Sequence, residues 1–437
     1  MRTISSRSGP LRGEITVPGD KSISHRAVML GSIARGNTEI TGFLSGADCL
    51  STVDCFRRLG VDISVREKEG QVSVRGRGLR GLCPAADPVS LYTGNSGTTT
   101  RIISGILAPQ PFSSVISGDE SISTRPMRRI IQPLSLMGAH IESVRGNDCT
   151  PLRIEGRALH GITYHSPVAS AQVKSSILCA GLYADGVTEV IEPSLSRDHT
   201  ERMLRAFGAD VESFEKEDGW HARTRTCEEL DARRIHVPGD ISSAAYFIAA
   251  ASLVPGSEIL IRNVGINPTR AGMIDVAIAM GADITLLGIR QDTEPSADLL
   301  VRYAPLHGVT IGGSVIPTLI DEIPILAVMA AAAEGTTYIK DVAELKVKET
   351  DRIDTITGGL AAMGCPVCAQ NDGMIIEGNS GGSAFPLNGA HIKTCGDHRI
   401  AMAFSVAALI ARGESVIDNE RCVDVSYPGF FEDLASL

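Results

Sequence analysis

The chain has 437 residues, too many for one ordinary hydrophobic core, so at least two domains are expected. An apolar content of 43% excludes a largely disordered chain. The formal net charge of −10 disfavours nucleic acid and acidic membranes as partners. Any bound anion must therefore be held by a local group of Lys and Arg.

The N-terminal residues lack the apolar segment of a secretory signal, and we expect no membrane span, since no apolar run reaches about 18 residues. The ten cysteines are scattered, which is typical of a reducing cytoplasm. Only Cys365 and Cys368 have CxxC spacing. Without a second pair or a His group nearby, we interpret them as a buried structural pair and not as a metal or redox site.

Six stretches share one pattern: a polar start, an Ala-rich helical run, a Gly and a short alternating segment. Their starts lie 70 to 81 residues apart, at Lys21, Asn95, Ser170, Asp240, Asp321 and Asp397. A second phrase, a helix followed by a strand, alternates with the first; its sixth copy is missing because the chain ends at FFEDLASL. Each repeat predicts strands and helices in the order βαβαββ. Because helices that are apolar nearly all round are buried, we expect the helices to lie in the core.

The phrase VPGD occurs twice, at residues 17–20 and 237–240, each time before an apolar helical run. Six repeats divide into three plus three, and the two phrases then mark two crossovers between the halves. Pro restricts φ and Gly permits a bend, which suits a hinge. We predict an α/β fold, a two-domain inside-out barrel with inner helices and outer sheets. Its domains would comprise residues 21–238 and residues 1–20 with 239–437.

Lys and Arg recur at the starts of the helical runs although the chain as a whole is acidic. At the first start, Arg26 lies one helical turn after Ser22. Each such residue alone is most often a helix cap or a solvated charge. Their recurrence predicts a site for two small anions, with bidentate Arg holding carboxylate or phosphate. Asp321 and Glu349, which lie among these cations in the sequence, are candidates for proton transfer.

Six phrases together resemble the 5-enolpyruvylshikimate-3-phosphate synthase family: GDKSISHR, GNSGTTTR, TRPM, SAQVKS, KETDR and GDHRIAM. The resemblance extends from about Val17 to SYPGFF near the end, and it implies two domains of three repeats. It implies neither a metal nor an organic cofactor. The implied partners are small molecules, without nucleic acid or membrane, and the implied protein is a cytoplasmic monomer.

The activity implied by the resemblance is that of a 3-phosphoshikimate 1-carboxyvinyltransferase. Such an enzyme transfers the enolpyruvyl group of phosphoenolpyruvate to the 5-hydroxyl of shikimate 3-phosphate and releases phosphate. The reaction is an addition–elimination through a tetrahedral intermediate, and it belongs to chorismate and aromatic amino-acid biosynthesis. The family also includes the target of the inhibitor glyphosate.

The resemblance implies roles for individual residues. Asp321 would take the proton from the attacking hydroxyl, and Glu349 with Lys21 would handle the proton added to and later lost from the methylene carbon. Shikimate 3-phosphate would be held by Lys21, Ser22, Arg26, Ser170, Gln172, Arg197, Asp321 and Lys348. Phosphoenolpyruvate would be held by Lys21, Gly97, Arg125, Gln172, Arg352 and Arg399, with Arg101 nearby. Domain closure would complete the site and exclude water.

This chain departs from the family pattern at two places, and a third position bears on inhibition. SRDHT at residues 196–200 replaces a tyrosine-containing phrase, so Arg197 is expected to take over a substrate contact. Val425 stands where some members have a lysine that touches phosphoenolpyruvate, and this contact is expected to be absent or moved to Arg421. Gly97 stands where glyphosate-tolerant members often have Ala, so glyphosate is expected to compete with phosphoenolpyruvate here.

Three alternatives are weaker. The sister enzyme that acts on a UDP-amino sugar usually has Cys where this chain has Glu120, and DLR where this chain has DHR at Asp397. A non-catalytic anion-binding relative would be expected to lack Lys21, Asp321 or Glu349, all of which are present. RNA-end-processing enzymes with related repeats are disfavoured by the net charge of −10.

Overall fold

The computed structural model describes residues 1–7, 9–379, 381 and 386–437. They form two compact units, each with its own hydrophobic core. Unit 1 comprises Met1–Pro18 and Pro238–Leu437, and unit 2 comprises Gly19–Val237. The chain therefore passes from one unit to the other twice, each time within a VPGD phrase.

Unit 1 begins with two strands, β1 (Arg2–Ser5) and β2 (Arg12–Thr16). Unit 2 follows, with helices α1 (Lys21–Ile33), α2 (Ala47–Arg58), α3 (Gly97–Leu107), α4 (Arg128–Leu136), α5 (Ala171–Gly181) and α6 (His199–Ala206). Its strands are β3 (Arg35–Thr41), β4 (Asp62–Arg66), β5 (Gln71–Arg77), β6 (Val89–Tyr92), β7 (Ser113–Ser117), β8 (His140–Ser143), β9 (Leu152–Glu155), β10 (Thr163–His165), β11 (Val187–Glu192), β12 (Val211–Lys216), β13 (Gly219–Arg225) and β14 (Arg234–His236).

The remainder of unit 1 has helices α7 (Ile241–Leu253), α8 (Gly272–Ala279), α9 (Ile316–Leu319), α10 (Ile323–Ala332), α11 (Arg352–Ala362), α12 (His398–Leu409) and α13 (Phe430–Ser436). Its strands are β15 (Glu258–Gly265), β16 (Asp283–Gln291), β17 (Pro295–Arg302), β18 (Thr310–Ile311), β19 (Thr336–Ile339), β20 (Val367–Gln370), β21 (Gly373–Glu377), β22 (Leu387–Asn388), β23 (His391–Ile392), β24 (Ala411–Arg412) and β25 (Glu414–Ile417).

The three sheets of unit 2 share one strand order. They are β14-β3-β5-β4, β6-β7-β9-β8 and β10-β11-β13-β12. In each sheet the first pair of strands is parallel and the other two pairs are antiparallel. The second and third repeats run βαβαββ along the chain, as in β10-α5-β11-α6-β12-β13. The predicted α/β class and repeat are confirmed.

Unit 1 repeats this order in two sheets and modifies it in a third; a fourth sheet is the short parallel pair β22-β24. The regular sheets are β2-β15-β17-β16 and β18-β19-β21-β20. In the third, β23 is parallel to β25, and β1 from the start of the chain lies antiparallel on the other side of β25. The prediction that the sixth copy of the second phrase is missing was wrong for its helix, because FFEDLAS forms α13. Its strand position is filled by β1, since a sheet can recruit a strand from a distant part of the chain.

The strands that precede the two VPGD phrases are exchanged between repeats. Strand β2 precedes the first phrase but pairs with β15, which follows the second. Strand β14 precedes the second phrase but pairs with β3, which follows the first. Close packing also explains the glycine of the first phrase: a Cβ on Gly19 would lie 1.8 Å from the carbonyl oxygen of Gly42.

The first helices of the repeats lie in the cores and are accessible mainly at their N-termini. All 13 residues of α7 are buried. In α1 only Lys21 and Ser22 are outside the buried set, and in α12 only Arg399 is. The N-terminus of a helix carries free N–H groups and positive partial charge. The polar residues of the repeat starts are thus placed at the anion-binding ends of buried helices.

One helical stretch, Gly313–Ala332, is long and apolar enough by length and composition to cross a membrane. The expectation of no such run overlooked it because Asp321 and Glu322 interrupt the apolar residues. Its most apolar window is 72% buried within the protein, as in a core helix.

The prediction of a buried CxxC pair was wrong for one of its cysteines. Cys365 is buried, and its thiol lies 3.5 Å from the carbonyl oxygen of Glu377, whereas Cys368 is exposed. Cys368 lies on the edge strand β20, whose next two residues are exposed as well.

Candidate active site

Helix α1 places two predicted substrate contacts in its first turn. The helix begins where the Asp20 carboxylate accepts a hydrogen bond from the backbone N–H of Ile23 at 2.9 Å. Lys21 and Ser22 follow at once, both partly exposed, and the Lys21 ammonium forms an ion pair with Asp48 on α2. A cation is therefore held at a helix N-terminus, where an incoming anion finds both the ammonium and free N–H groups.

Arg26 lies one turn deeper and is only 4% exposed. Its Nε donates to the Thr200 hydroxyl at 2.6 Å, and its Nη2 donates to the Ser175 hydroxyl at 2.8 Å. Its Nη1 donates to the backbone carbonyl of Ser22 at 3.0 Å. The guanidinium is thus fixed by α1, α5 and α6 together, and it adds positive charge beneath the first turn of α1.

The starts of α3 and α5 are linked by hydrogen bonds between side chains. The Arg101 Nη1 donates to the Gln172 Oε1 at 2.6 Å, and the Gln172 Nε2 donates to the Thr98 hydroxyl at 3.0 Å. Gly97, the first residue of α3, is buried beside them, and a Cβ there would lie 2.9 Å from the Arg101 Nη1. Three residues predicted around phosphoenolpyruvate therefore lie together in unit 2.

Arg125 lies in the segment before α4, where it is partly buried. Its Nη2 donates to the Asn95 Oδ1 and to the Ser121 hydroxyl, each at 3.0 Å. Asn95 directly precedes Ser96, the residue that caps α3 by accepting from the N–H of Thr99. The Asn95 contact brings the guanidinium to the start of α3.

A buried cluster that the sequence did not predict lies beside Ser170 and Arg197. The Glu192 carboxylate accepts from the backbone N–H of Ser170 at 2.7 Å and from the Ser196 hydroxyl at 2.7 Å. Lys174 forms ion pairs with Glu192 at 3.0 Å and with Glu201 at 2.8 Å. A lysine within the apolar run of α5 was the available signal, because a buried ammonium requires carboxylate partners.

In unit 1, Asp321 lies among three cationic side chains that were predicted to bind the substrates. Its Oδ1 lies 3.6 Å from the Lys348 Nζ and 3.6 Å from the Arg352 Nη1, and its Oδ2 lies 3.8 Å from the Arg399 Nη2. The Asp321 side chain is 15% exposed. It precedes α10, whereas the three cations come from the segment before α11, from α11 and from α12. A carboxylate among cations can accept a proton, and the cations can stabilise an anion that forms beside it.

Glu349 belongs to the same group of charges. Its Oε2 accepts from the Arg352 Nη2 at 2.6 Å, and its side chain is 35% exposed. Partial burial raises the pKa of Glu349, but the opposing effect of the Arg352 charge and other nearby positive charges is larger and lowers that pKa to about 2. Glu349 is therefore ionised at neutral pH.

Behind Asp321 lies a second buried network that the sequence did not predict. The Glu322 Oε2 accepts from the Arg270 Nη1 at 2.9 Å, and its Oε1 accepts from the Ser242 hydroxyl and lies 3.6 Å from the Arg399 Nη1. Glu322 and Arg270 are 1% and 4% exposed. The second VPGD phrase thus opens a core helix that also contributes Ser242 to the support of Arg399.

Val425 and Arg421 lie on the 3₁₀ segment Glu420–Val425, close to the C-terminal helix. Val425 is 37% exposed, and Arg421 lines a cavity of about 190 Å³ together with Arg2 and Phe431. The replacement of the lysine contact by Arg421 stays a prediction. Across residues 1–7, 9–379, 381 and 386–437, no group of three or more His, Cys, Asp or Glu side chains is arranged to hold a metal ion.

Comparison with known proteins identifies the family. The family model for EPSP synthase, described as 3-phosphoshikimate 1-carboxyvinyltransferase, matches residues 6–434. The chain belongs to the EPSP synthase family. It is 55% identical over 429 residues to a 3-phosphoshikimate 1-carboxyvinyltransferase of Brevibacillus brevis, and the match covers 98% of this chain and 97% of the relative.

Solved structures give the same assignment. An EPSP synthase from Acinetobacter baumannii matches with a TM-score of 0.90 and 44% identity, over 99% of this chain and 97% of that one. The enolpyruvyl transferase NikO from Streptomyces tendae matches with a TM-score of 0.78 over 100% of this chain and 96% of that one. At 18% identity the latter likeness concerns the fold alone. The predicted family and the two-domain inside-out fold class are confirmed.

Proposed function

We propose that the protein transfers the enolpyruvyl group of phosphoenolpyruvate to the 5-hydroxyl of shikimate 3-phosphate, with release of phosphate. The observation that carries this proposal is Asp321, a carboxylate with three cationic side chains within 3.8 Å. Membership of the EPSP synthase family supplies the substrates. The sister reaction on a UDP-amino sugar is the alternative acceptor chemistry.

The first step is the attack of the 5-hydroxyl on C2 of phosphoenolpyruvate. Asp321 accepts the hydroxyl proton, and the new C–O bond forms as the methylene carbon gains a proton. Lys348, Arg352 and Arg399 stabilise the negative charge that collects on the carboxylate and phosphate groups of the tetrahedral intermediate.

Two groups are proposed to transfer the proton that the methylene carbon gains in the addition and loses in the elimination. Glu349 is ionised, because the Arg352 guanidinium and neighbouring positive charges hold its pKa at about 2, and it enters the reaction as a base. We assign the protonation of the methylene carbon to Lys21, which the family resemblance pairs with Glu349 for this proton. In the elimination, Glu349 removes a proton from the resulting methyl group while the C2–O bond to phosphate breaks.

The binding residues are proposed as follows. Shikimate 3-phosphate contacts Lys21, Ser22, Arg26, Ser170, Gln172, Arg197, Asp321 and Lys348. Phosphoenolpyruvate contacts Lys21, Gly97, Arg101, Arg125, Gln172, Arg352 and Arg399. The N–H groups at the starts of α1, α3 and α5 add donors for phosphate oxygens in unit 2. The working form is proposed to be a monomer located in the cytoplasm. Size-exclusion chromatography with light scattering tests the monomeric state.

The deciding experiment follows phosphate release from phosphoenolpyruvate with shikimate 3-phosphate, and with UDP-N-acetylglucosamine in a parallel reaction. Release only with shikimate 3-phosphate is the expected result. Release only with the UDP-sugar would assign the sister activity. Absence of release with either acceptor, from folded protein, would leave a non-catalytic anion-binding protein.

A further inference from the structure

Glu192 contacts two proposed substrate-binding segments of unit 2 at once. Its Oε1 accepts from the backbone N–H of Ser170, and its Oε2 accepts from the Ser196 hydroxyl, both at 2.7 Å. Ser170 is the N-cap residue of α5, and Ser196 directly precedes Arg197 in the segment before α6. A single carboxylate at the end of β11 therefore joins the start of α5 to the segment that carries Arg197.

Lys174 holds this carboxylate in place. Its ammonium lies 3.0 Å from the Glu192 Oε2 and 2.8 Å from the Glu201 Oε1, and it donates to the Ser196 carbonyl at 3.2 Å. The three charged side chains are at most 2% exposed. Burial lowers the pKa of Lys174, but the charges of Glu201 and Glu192 outweigh burial and raise that pKa overall. The lysine therefore stays charged, and each carboxylate keeps a partner.

The segment between β11 and α6 has no regular secondary structure of its own. Its position must therefore come from side-chain contacts such as those of Ser196. Two groups that bind one phosphorylated ring have to be held at a fixed separation, because loosening either contact by about 1 Å weakens binding. A buried ion pair is a weak source of stability compared with apolar packing, which favours a positional role for this one.

We propose that Glu192, held by Lys174, is a positioning residue that sets the separation between Ser170 and Arg197 for shikimate 3-phosphate. This inference rests on the proposed function. Glu192 touches neither substrate in this scheme. It acts through the backbone of Ser170 and the segment that begins at Ser196. Its loss is expected to weaken the binding of shikimate 3-phosphate more than that of phosphoenolpyruvate.

The chain offers a matched control within the same cluster. Glu201 pairs with Lys174 at 2.8 Å and is fully buried, as Glu192 is. Within the described residues it accepts no hydrogen bond from Ser170 or Ser196. Glu192→Gln and Glu201→Gln therefore each remove one negative charge from the same lysine. Only position 192 accepts from both Ser170 and Ser196, and an amide there has one accepting oxygen in place of two. Ser196→Ala removes one contact of Glu192 without changing any charge.

The experiment measures KM for each substrate from phosphate release by the full-length wild type and the three variants. Folding of unit 2 is followed by the fluorescence of Trp220, the one tryptophan of the chain, which lies opposite Glu192 in the β11–β13 register. Glu192→Gln is expected to raise KM for shikimate 3-phosphate by about 10-fold, the loss typical of a hydrogen bond to a charged group, with KM for phosphoenolpyruvate nearly unchanged. Glu201→Gln should leave both KM values close to wild type. Ser196→Ala should raise KM for shikimate 3-phosphate by about 3-fold and leave KM for phosphoenolpyruvate unchanged.

Equal shifts from Glu192→Gln and Glu201→Gln, or an equal rise for both substrates, would overturn the positioning role while leaving the proposed function intact. A wild type that releases no phosphate from shikimate 3-phosphate and phosphoenolpyruvate would overturn the proposed function, and the positioning role with it. If Glu192→Gln does not fold, Ser196→Ala decides: an unchanged KM for shikimate 3-phosphate overturns the proposal, and a selective rise supports it.

Discussion

Arg352 and Asp397 form an ion pair that is almost completely excluded from solvent. The Arg352 Nε donates to the Asp397 Oδ2 at 2.7 Å, and the two side chains are 1% and 0% exposed. Asp397 also caps α12 by accepting from the backbone N–H of Arg399 at 2.9 Å. One buried carboxylate therefore orients two arginines that are proposed to hold phosphoenolpyruvate.

Asp397→Ala is expected to destabilise the protein by about 3 kcal/mol, because it removes the buried partner of the Arg352 Nε and leaves the guanidinium with Glu349 and the more distant Asp321. Urea denaturation followed by circular dichroism measures this change. Asp354→Asn, at an exposed position in the first turn of α11, is the control and should change the unfolding free energy by less than about 0.5 kcal/mol. Similar urea midpoints for the two variants would show that the Arg352–Asp397 ion pair contributes little to the free energy of unfolding.

Asp321→Asn is expected to lower kcat by about 10²- to 10⁴-fold, because the amide cannot accept the proton of the attacking hydroxyl. The side chain keeps its shape, so binding of both substrates should be reduced much less than turnover. Steady-state phosphate release with each substrate varied in turn separates kcat from KM. A kcat within about 3-fold of wild type would assign the base to another group.

Substitution of the two proposed proton-transfer groups should block different steps of the reaction. Glu349→Gln is expected to let the tetrahedral intermediate accumulate in a single turnover, because the methyl proton has no base to receive it. Lys21→Met is expected to block formation of the intermediate. Rapid quenching of enzyme mixed with both substrates measures the amount of tetrahedral intermediate directly. Accumulation with Lys21→Met and none with Glu349→Gln would reverse the two roles.

Gly97→Ala is expected to weaken glyphosate inhibition by about 10-fold or more, because the new Cβ would lie 2.9 Å from the Arg101 Nη1 and push the guanidinium from Gln172. The inhibition constant against phosphoenolpyruvate measures the effect. Gly358→Ala is the matched control, since a Cβ on this helical glycine meets no heavy atom of the described residues within 4 Å. If glyphosate inhibited wild type and Gly97→Ala equally well, the expected competition with phosphoenolpyruvate beside Gly97 would be refuted.

The low pKa of Glu349 gives a pH dependence with a definite sign. Because its pKa is lowered from 4.5 to about 2 in the folded protein, the ionised carboxylate stabilises the fold above pH 4.5, and this contribution is lost as the pH falls from 4.5 toward 2. The difference in urea midpoint between wild type and Glu349→Gln should therefore be greatest above about pH 5 and should shrink at lower pH. Glu344→Gln, at an exposed position, is the control. A difference that grew on acidification would contradict the assignment.

Local pattern was enough to predict the six repeats, because their helices are apolar nearly all round and their polar starts are caps. It was also enough to place Lys21, Ser22 and Arg399 at helix N-termini, since spacing along one helix is a local property. Cys368 was mispredicted because CxxC spacing does not report which side chain faces solvent at a sheet edge.

The tertiary structure alone decided the long-range pairings. Strands β2 and β14 each follow the register of a sheet whose other strands are distant in the chain, and β1 completes the sheet of the last repeat. Glu192, Glu322 and Arg270 escaped prediction because a buried charge is identified by its partner, and these partners are brought together only by folding. The sequence by itself determined the repeat, the family and the residues that carry charge. Packing decided which of those charges meet, because burial and ion pairing depend on contacts between residues far apart in the chain.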